Sequence, residues 1–277
     1  MNSLQQCVNE YIKDGYTRNY AISKVCQDII INRIYNSKYN NKITIKGGVV
    51  MFHLTQNVRR ATIDIDMDLI NMSIATDNIV NIFMELGRLD DIDGFKLEID
   101  KNNIEELSHQ DYHGKRLTVT ISDKYNKHYH IKLDIGVHKH IDIIQDTLLL
   151  DTKIIDGNVS FLVNPKEQIF VEKLVPLLKF GPLSTRYRDI FDLYWLITKG
   201  ELNKDQILDY MKILIFDTDI EINNVSDISN IINIVLSEDM FIQNLSNNNN
   251  WTGESIDSIL NTIKEYVTNL ETIKIYL

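Results

Sequence analysis

Three aspartates alternate along one short segment: Asp64, Asp66 and Asp68 are each separated by a single apolar residue. Because alternate side chains of a β-strand share a face, a strand over residues 62–69 places all three carboxylates on one side and Ile63 with the other apolar residues on the opposite side. Adjacent carboxylates repel each other in a partly buried site, and a divalent cation removes that repulsion. Asp64 and Asp66 are therefore candidate ligands for Mg²⁺ or Mn²⁺, held together with substrate phosphates.

The same pattern has a plainer interpretation, in which charged side chains line the exposed face of an edge strand and discourage aggregation. Asp68 is the aspartate most readily explained in this way. The residues upstream favour the metal site. Lys46-Gly47-Gly48 follows a short predicted strand, residues 43–45, and precedes a predicted helix, residues 49–55. Glycines let backbone N–H groups approach phosphate oxygens, and a helix N-terminus favours anions.

A third carboxylate lies on a predicted strand over residues 128–137, where Asp134 shares a face with His130 and Lys132. If this strand lies beside the predicted strand over residues 62–69 (the aspartate strand), Asp134 is either a further metal ligand or a base for an attacking hydroxyl. Otherwise it is a surface aspartate, and the pattern alone does not choose between these alternatives.

A second group of charged residues lies further along the chain, in Glu172-Lys173-Leu174 and in the segment 186–194, which carries Arg186, Arg188, Asp189 and Asp192. The two aspartates share a helix face because they are three residues apart. Lys173 has the charge to neutralise a triphosphate, and the two arginines either bind a phosphate or pair with the aspartates. The alternative is a surface helix with salt bridges, worth about 0–1 kcal/mol each.

The elements that position these residues change character near residue 160. Before it, predicted helices (20–39, 74–87) mix with predicted strands (95–100, 115–123), and the strand 115–123 forms a hairpin with 128–137. After it, helical periodicity dominates: a helix begins at Pro165, Pro176 should kink or end it, and further helices are predicted over 185–197, 204–215, 226–236 and 254–275.

Composition limits the classes of protein. The chain has 277 residues, of which 39 are acidic and 29 basic, so its net charge of −10 argues against a general nucleic-acid coat protein. It contains no run of about 20 apolar residues that would span a membrane, and Met1–Glu10 does not resemble a secretion signal. Two cysteines cannot form a disulfide framework, which favours the cytoplasm. A zinc site among His128, His130, His138 and His140 is a weak alternative, because no cysteine joins them.

Taken together and in this order, the motifs resemble the AbiEii/AbiGii nucleotidyltransferase toxins of the DNA polymerase β-like nucleotidyltransferase superfamily. The resemblance extends from about residue 20 to residue 200. It is carried by four motifs, namely Lys46-Gly47-Gly48, Arg60-x-Thr62-x-Asp64-Ile65-Asp66, Glu172-Lys173-Leu174 and Arg186-Tyr187-Arg188-Asp189-x-x-Asp192-Leu193-Tyr194.

The resemblance implies an α+β fold: a nucleotidyltransferase domain with a polymerase β-like mixed sheet and flanking helices, residues 1–160, followed by a helical domain, residues 161–277. It implies an NTP-dependent enzyme that transfers a nucleoside monophosphate with Mg²⁺ or Mn²⁺. The acceptor would be the tRNA 3′ end, other RNA or protein. The protein would act as a toxin in phage defence, beside a cognate antitoxin.

Site roles follow from the same resemblance. Asp64 and Asp66 would hold the metal and act in catalysis, Lys173 would contact the nucleotide phosphates, and Asp189 would be the later catalytic aspartate. Asp134 is added to the metal ligands from its strand position and not from the resemblance. The nucleotide-binding residues would be Gly47, Gly48, Lys46, Arg60, Thr62, Arg186 and Arg188. The small hydroxyl residue common after the first glycine is missing, since Gly48 and Val49 stand there.

Two rival functions remain open at this point. One is a catalytically degenerate member of the fold that binds a nucleotide or a partner, and the other is a metal-dependent phosphohydrolase. An RNA acceptor would need a local basic patch in this acidic protein, for which Arg59, Arg60, Arg186 and Arg188 are the candidates.

Overall fold

A computed structural model describes residues 3–107, 114–139 and 143–271. The chain divides into two compact units, Met1–Asn164 and Pro165–Leu277. Among the described residues, none of the helices combines the length and the apolar character needed to cross a membrane.

The first unit is built around one mixed sheet. Its helices are α1 (Leu4–Lys13), α2 (Arg18–Tyr35), α3 (Gly47–Thr55), α4 (Thr76–Gly87) and α5 (Asp90–Asp93). Its strands are β1 (Ile43–Lys46), β2 (Ile65–Leu69), β3 (Lys96–Ile99), β4 (Glu105–Leu107), β5 (Gly114–Ser122), β6 (His128–Val137), β7 (Asp146–Leu149) and β8 (Ser160–Val163). The strand order is β3-β5-β6-β2-β1-β8-β7, with β4 paired to β5. The pairs β2–β6 and β1–β8 are parallel and the others are antiparallel.

Apolar alternation determines which face of this sheet is covered. Along β6, Ile131, Leu133 and Ile135 are buried, whereas His130 and Lys132 are exposed. Helix α2 packs on β6 and β8 and is buried over most of its length. The expectation of an α+β fold with a mixed sheet and flanking helices is confirmed, as is the β5–β6 hairpin.

The aspartate strand is shorter than the alternation predicts. Strand β2 begins at Ile65, and Ile63 and Asp64 form a bend before it. The expectation that Ile63 shares the buried apolar face is wrong, since its side chain is 51% exposed. Alternation alone could not place the start of the strand. Strands β4, β7 and β8 and helix α1 were not predicted. The three strands are too short for a clear period, whereas α1 has a helical one, because Leu4, Cys7, Val8 and Tyr11 are buried on one face.

The regular secondary structure of the second unit is helical in its described residues, with loops and turns between the helices. Its helices are α6 (Lys166–Phe180), α7 (Tyr187–Lys199), α8 (Lys204–Met211), α9 (Val225–Val235), α10 (Asp239–Ser246) and α11 (Ile256–Leu270). Helix α6 follows Pro165 as expected, and it runs through Pro176 to Phe180, so of the two expected effects of Pro176, a kink or an end of the helix, the end does not occur. The buried residues Leu174, Leu177 and Leu178 stabilise this last stretch. The predicted continuation of α11 to residue 275 lies outside the described residues from 272 onward.

Candidate active site

The double glycine lies directly against the aspartate strand. Strands β1 and β2 are antiparallel, and their register places Lys46 opposite Asp66. Gly47 begins α3 with φ +62°, and a Cβ added there would lie 3.1 Å from Cγ of Asp66 and deep inside van der Waals contact of Oδ2. Only glycine therefore lets the Asp66 carboxylate approach the first turn of α3, where the helix N-terminus favours negative charge.

Thr62 occupies the space that a side chain at position 48 would need. A Cβ added to Gly48 would lie 2.6 Å from Cβ and 2.7 Å from Oγ1 of Thr62. The glycine turn, Gly47-Gly48, thus has the hydroxyl of Thr62 beside its second residue, although residues 48 and 49 themselves carry no hydroxyl. Sequence reasoning noted the missing hydroxyl but not this replacement, because the contact depends on how the segment before β2 folds against α3.

Burial increases along the three aspartates. Asp64 is exposed just before β2, Asp66 is half-buried, and Asp68 is only 6% exposed. Asp68 Oδ2 lies 2.9 Å from Lys46 Nζ, so this aspartate has an ion-pair partner within the sheet. Strand β2 lies between β6 and β1. The plainer interpretation, an edge strand with solvated charges, is therefore wrong.

Asp134 lies beside Asp66, because β2 and β6 are parallel and these two residues are in register. The condition under which Asp134 could join the site, that the two strands lie side by side, is thus met. Both carboxylate oxygens of Asp134 accept hydrogen bonds from Arg116, at 2.7 Å from Nε and 2.7 Å from Nη2. These bonds raise the pKa of Arg116, and the charge of Asp64 adds to that effect. Asp134 is therefore not simply a solvated surface carboxylate.

Metal-ligand side chains do not gather into a larger cluster. Over the described parts of the chain, no group of three or more His, Cys, Asp or Glu residues is arranged to hold an ion. The rings of His128 and His130 are tilted by 58° with their centroids 5.4 Å apart, and His138 is buried beside Gln145. His140 lies outside the described residues. The histidines thus offer no zinc centre there, while Asp64 and Asp66 offer the one or two carboxylates that Mg²⁺ takes together with phosphates.

The second unit holds its charged residues in a buried network. Lys173 Nζ lies 2.6 Å from Asp189 Oδ1 and 2.8 Å from Asp192 Oδ2, and Arg186 Nε lies 2.8 Å from Asp189 Oδ2. The side chains of Lys173, Asp189 and Asp192 are all less than a tenth exposed. The alternative of a surface helix with solvated salt bridges is therefore wrong, and α6 and α7 pack through this network.

Charge sets the ionisation of Asp189. Burial acts to raise its pKa, but the neighbouring ammonium of Lys173 and guanidinium of Arg186 outweigh burial and hold the pKa of Asp189 at about 2. A carboxylate with a folded pKa below its ordinary value of about 3.9 stabilises the fold above that ordinary pKa and loses this contribution as the pH falls through the folded value.

Replacing Asp189 by asparagine is expected to lower the free energy of unfolding by about 2–3 kcal/mol at pH 7. The deficit should shrink as the pH falls from 4 towards 2, where the wild-type carboxylate loses its charge. Both tryptophans, Trp195 and Trp251, lie in the second unit, so urea unfolding followed by their fluorescence measures the effect. The control is D219N at an exposed turn position, and a deficit that does not change with pH would contradict the assignment.

The predicted arginines differ in exposure. Arg59, Arg186 and Arg188 are exposed, but Arg60 is only 4% exposed. Arg60 therefore cannot belong to a surface basic patch. The structure brings together Lys46, Gly47, Gly48, Thr62, Asp66 and Asp134 within the first unit, and Lys173, Asp189 and Arg186 within the second.

A protein-family model identifies the family of this chain. The family model described as "Nucleotidyl transferase AbiEii toxin, Type IV TA system" matches residues 29–250. Among solved structures, the chain is similar to an antigenic nucleotidyltransferase-like protein from Paracoccidioides brasiliensis, with 15% identity and a TM-score of 0.43, over 83% of this chain and 94% of that one. The search of curated proteins gave no match.

A mixed sheet with flanking helices is the fold expected of a nucleotidyltransferase. The family match, which spans most of the chain, makes the assignment specific. The protein belongs to the AbiEii nucleotidyl transferase toxin family of type IV toxin–antitoxin systems.

Proposed function

We propose that this protein is a metal-dependent nucleotidyltransferase that transfers a nucleoside monophosphate from an NTP to an RNA acceptor, with the tRNA 3′ end as the leading candidate. It would act as a toxin in phage defence and be restrained by a cognate antitoxin. The observation that carries the proposal is the placement of the Asp66 carboxylate against Gly47 at the first turn of α3. Family membership supports the reaction class.

The carboxylates fit a hard divalent cation. Asp64 and Asp66 offer oxygen donors, and the adjoining glycine turn leaves no Cβ between the Asp66 carboxylate and the start of α3. A bound Mg²⁺ or Mn²⁺ would supply positive charge that stabilises the transferring phosphoryl group. Asp134 as a further ligand stays a prediction, because Arg116 holds both of its oxygens.

The remaining residues would bind and orient the nucleotide. Backbone N–H groups at the start of α3 are not used within the helix and can donate to phosphate oxygens. A contact of Lys173 with the nucleotide phosphates stays a prediction; within the second unit its ammonium group is held by Asp189 and Asp192. Positioning and fixed charge supply most of the acceleration in phosphoryl transfer. An NTP substrate and two free buried cysteines suit the cytoplasm.

A labelling experiment tests the function. The protein is incubated with each radioactive NTP, Mg²⁺ and either total RNA or total protein from host cells, and the labelled macromolecule is identified. We expect label in the tRNA fraction and none after EDTA is added. Label in protein would show that the acceptor is a protein and not RNA. Absence of label from both the RNA and the protein, with every NTP, would contradict nucleotidyl transfer.

The hydroxyl of Thr62 is expected to contribute to nucleotide binding. In the T62V variant the side chain keeps its shape but loses the donor beside Gly48, so NTP affinity should fall about 10-fold, the value of one hydrogen bond to a charged group. Titration of a fluorescent NTP analogue measures this. The matched control is T147V at an exposed position of β7, and equal affinities for the two variants would exclude the contact.

A further inference from the structure

A small cleft of about 60 Å³ lies on the first unit, on the same sheet as the aspartates but on the far side of them from the glycine turn. It is lined by Asn103, Glu105, Arg116, Leu117, Thr118 and Lys132. Strands β5 and β6 form its floor, and their register places Lys132 opposite Thr118. No function discussed so far uses this cleft.

The polar groups of the cleft suit an oxyanion. Arg116 uses two of its five N–H donors on Asp134, which fixes the guanidinium and leaves the other donors available. Lys132 is exposed and, among the residues that the structure describes, has no acidic partner. Thr118 adds a hydroxyl. Glu105 lies opposite Arg116 and is the one acidic side chain in the lining. Asp134 already balances the charge of Arg116, so Lys132 supplies the positive charge of the cleft and Arg116 supplies fixed N–H donors.

Strand order separates this cleft from the proposed triphosphate site. The glycine turn follows β1, whereas Arg116 lies on β5, and the intervening strands are β2 and β6. Three strand spacings amount to about 14 Å. In an in-line displacement the attacking and leaving oxygens lie on opposite sides of the phosphorus. If the leaving pyrophosphate lies on the β1 side of Asp66, the attacking acceptor must approach from the β6–β5 side.

We propose that this cleft binds a backbone phosphate of the acceptor RNA strand, with Lys132, Arg116 and Thr118 as its ligands. The inference rests on the proposed function for the direction of attack. Lys132 and Thr118 would then bind the substrate, and Asp134 would hold the guanidinium of Arg116 in position to donate to the phosphate. The NTP triphosphate is the other possible source of a phosphate, and the experiment separates the two.

The test measures binding rather than transfer. Fluorescence anisotropy gives the affinity of full-length wild type, K132A and K124A for a labelled single-stranded RNA over a range of salt concentrations. Lys124 is the matched control, because it is an exposed lysine at the turn of the same hairpin, about 13 Å along the strands from Lys132. A fluorescent NTP analogue is titrated in parallel.

We expect K132A to bind RNA about 3- to 10-fold more weakly and to lower the slope of log affinity against log salt by about 0.7, which is one phosphate contact on a single strand. K124A should match the wild type, and NTP affinity should be unchanged in both variants. K132Q provides a second variant if K132A does not fold.

Three results would overturn the proposal. The first is a folded Lys132 variant whose RNA affinity is unchanged, and the second is a Lys132 variant that loses NTP affinity and keeps its RNA affinity. The third is a wild-type protein that does not bind RNA. The last result would fit a protein acceptor and leaves nucleotidyl transfer intact. Conversely, the protein could bind RNA through Lys132 and yet transfer no label to any acceptor. That result would contradict the proposed reaction but support the phosphate site.

Discussion

The D66N variant is expected to lose nucleotidyl transfer by at least about a hundredfold while remaining folded. Asparagine keeps the shape of the side chain beside Gly47 but removes the negative charge that would hold a divalent cation. It also removes the repulsion between neighbouring carboxylates, so the free energy of unfolding should change by less than about 1 kcal/mol. Single-turnover labelling of the acceptor and urea unfolding measure the two quantities.

The matched control for this variant is D91N, which removes one charge from an exposed position in α5 of the same unit. It should transfer at the wild-type rate. A folded D66N protein that labels its acceptor normally would disprove the role of this carboxylate, and D64N should fail in the same way as D66N.

The G47A variant is expected to be nearly as inactive, for a steric reason. Its added methyl group would overlap Oδ2 of Asp66, so either the carboxylate or the first turn of α3 must move. Misplacement of a catalytic group by about 1 Å can cost a hundredfold in rate. Alanine at φ +62° also carries backbone strain of roughly 1–2 kcal/mol. We therefore expect both a large loss of transfer and a moderate loss of stability.

A second glycine separates these two effects. Gly253 also has a positive φ, +86°, but an added Cβ would meet no atom within 4 Å. The G253A variant should show the backbone strain in its unfolding free energy and keep its transfer rate. If G47A also transfers normally, the close approach of Asp66 to the glycine turn has no catalytic meaning.

The alternation of apolar and polar residues along the longer strands was the most reliable guide to this fold. The alternation from His128 to Val137 gave β6 its observed bounds, and its hairpin with β5 followed from the short turn between them. That turn also fixes the register, which places Arg116 opposite Asp134. The partner of Asp134 was therefore within reach of sequence reasoning, although it was not identified. Strands β7 and β8 have four residues each, and so short a segment carries no decisive period.

Burial of charge was the harder quantity to predict. Helical spacing correctly put Asp189 and Asp192 on one face, but a surface and an interior location give the same spacing. The interior location depends on Lys173, which reaches both carboxylates from α6. Likewise, Thr62 fills the space beside Gly48 only because the chain bends before β2. Such contacts join segments whose mutual packing is not encoded in local periodicity.

The close approach at Gly47 has a genetic consequence. Every amino acid other than glycine adds at least a Cβ, and that atom has no room beside Asp66. If the protein is toxic when its antitoxin is absent, any missense change in this one codon should allow the host to survive. Colonies that escape toxin expression should therefore carry varied residues at position 47, with no preference for a particular replacement.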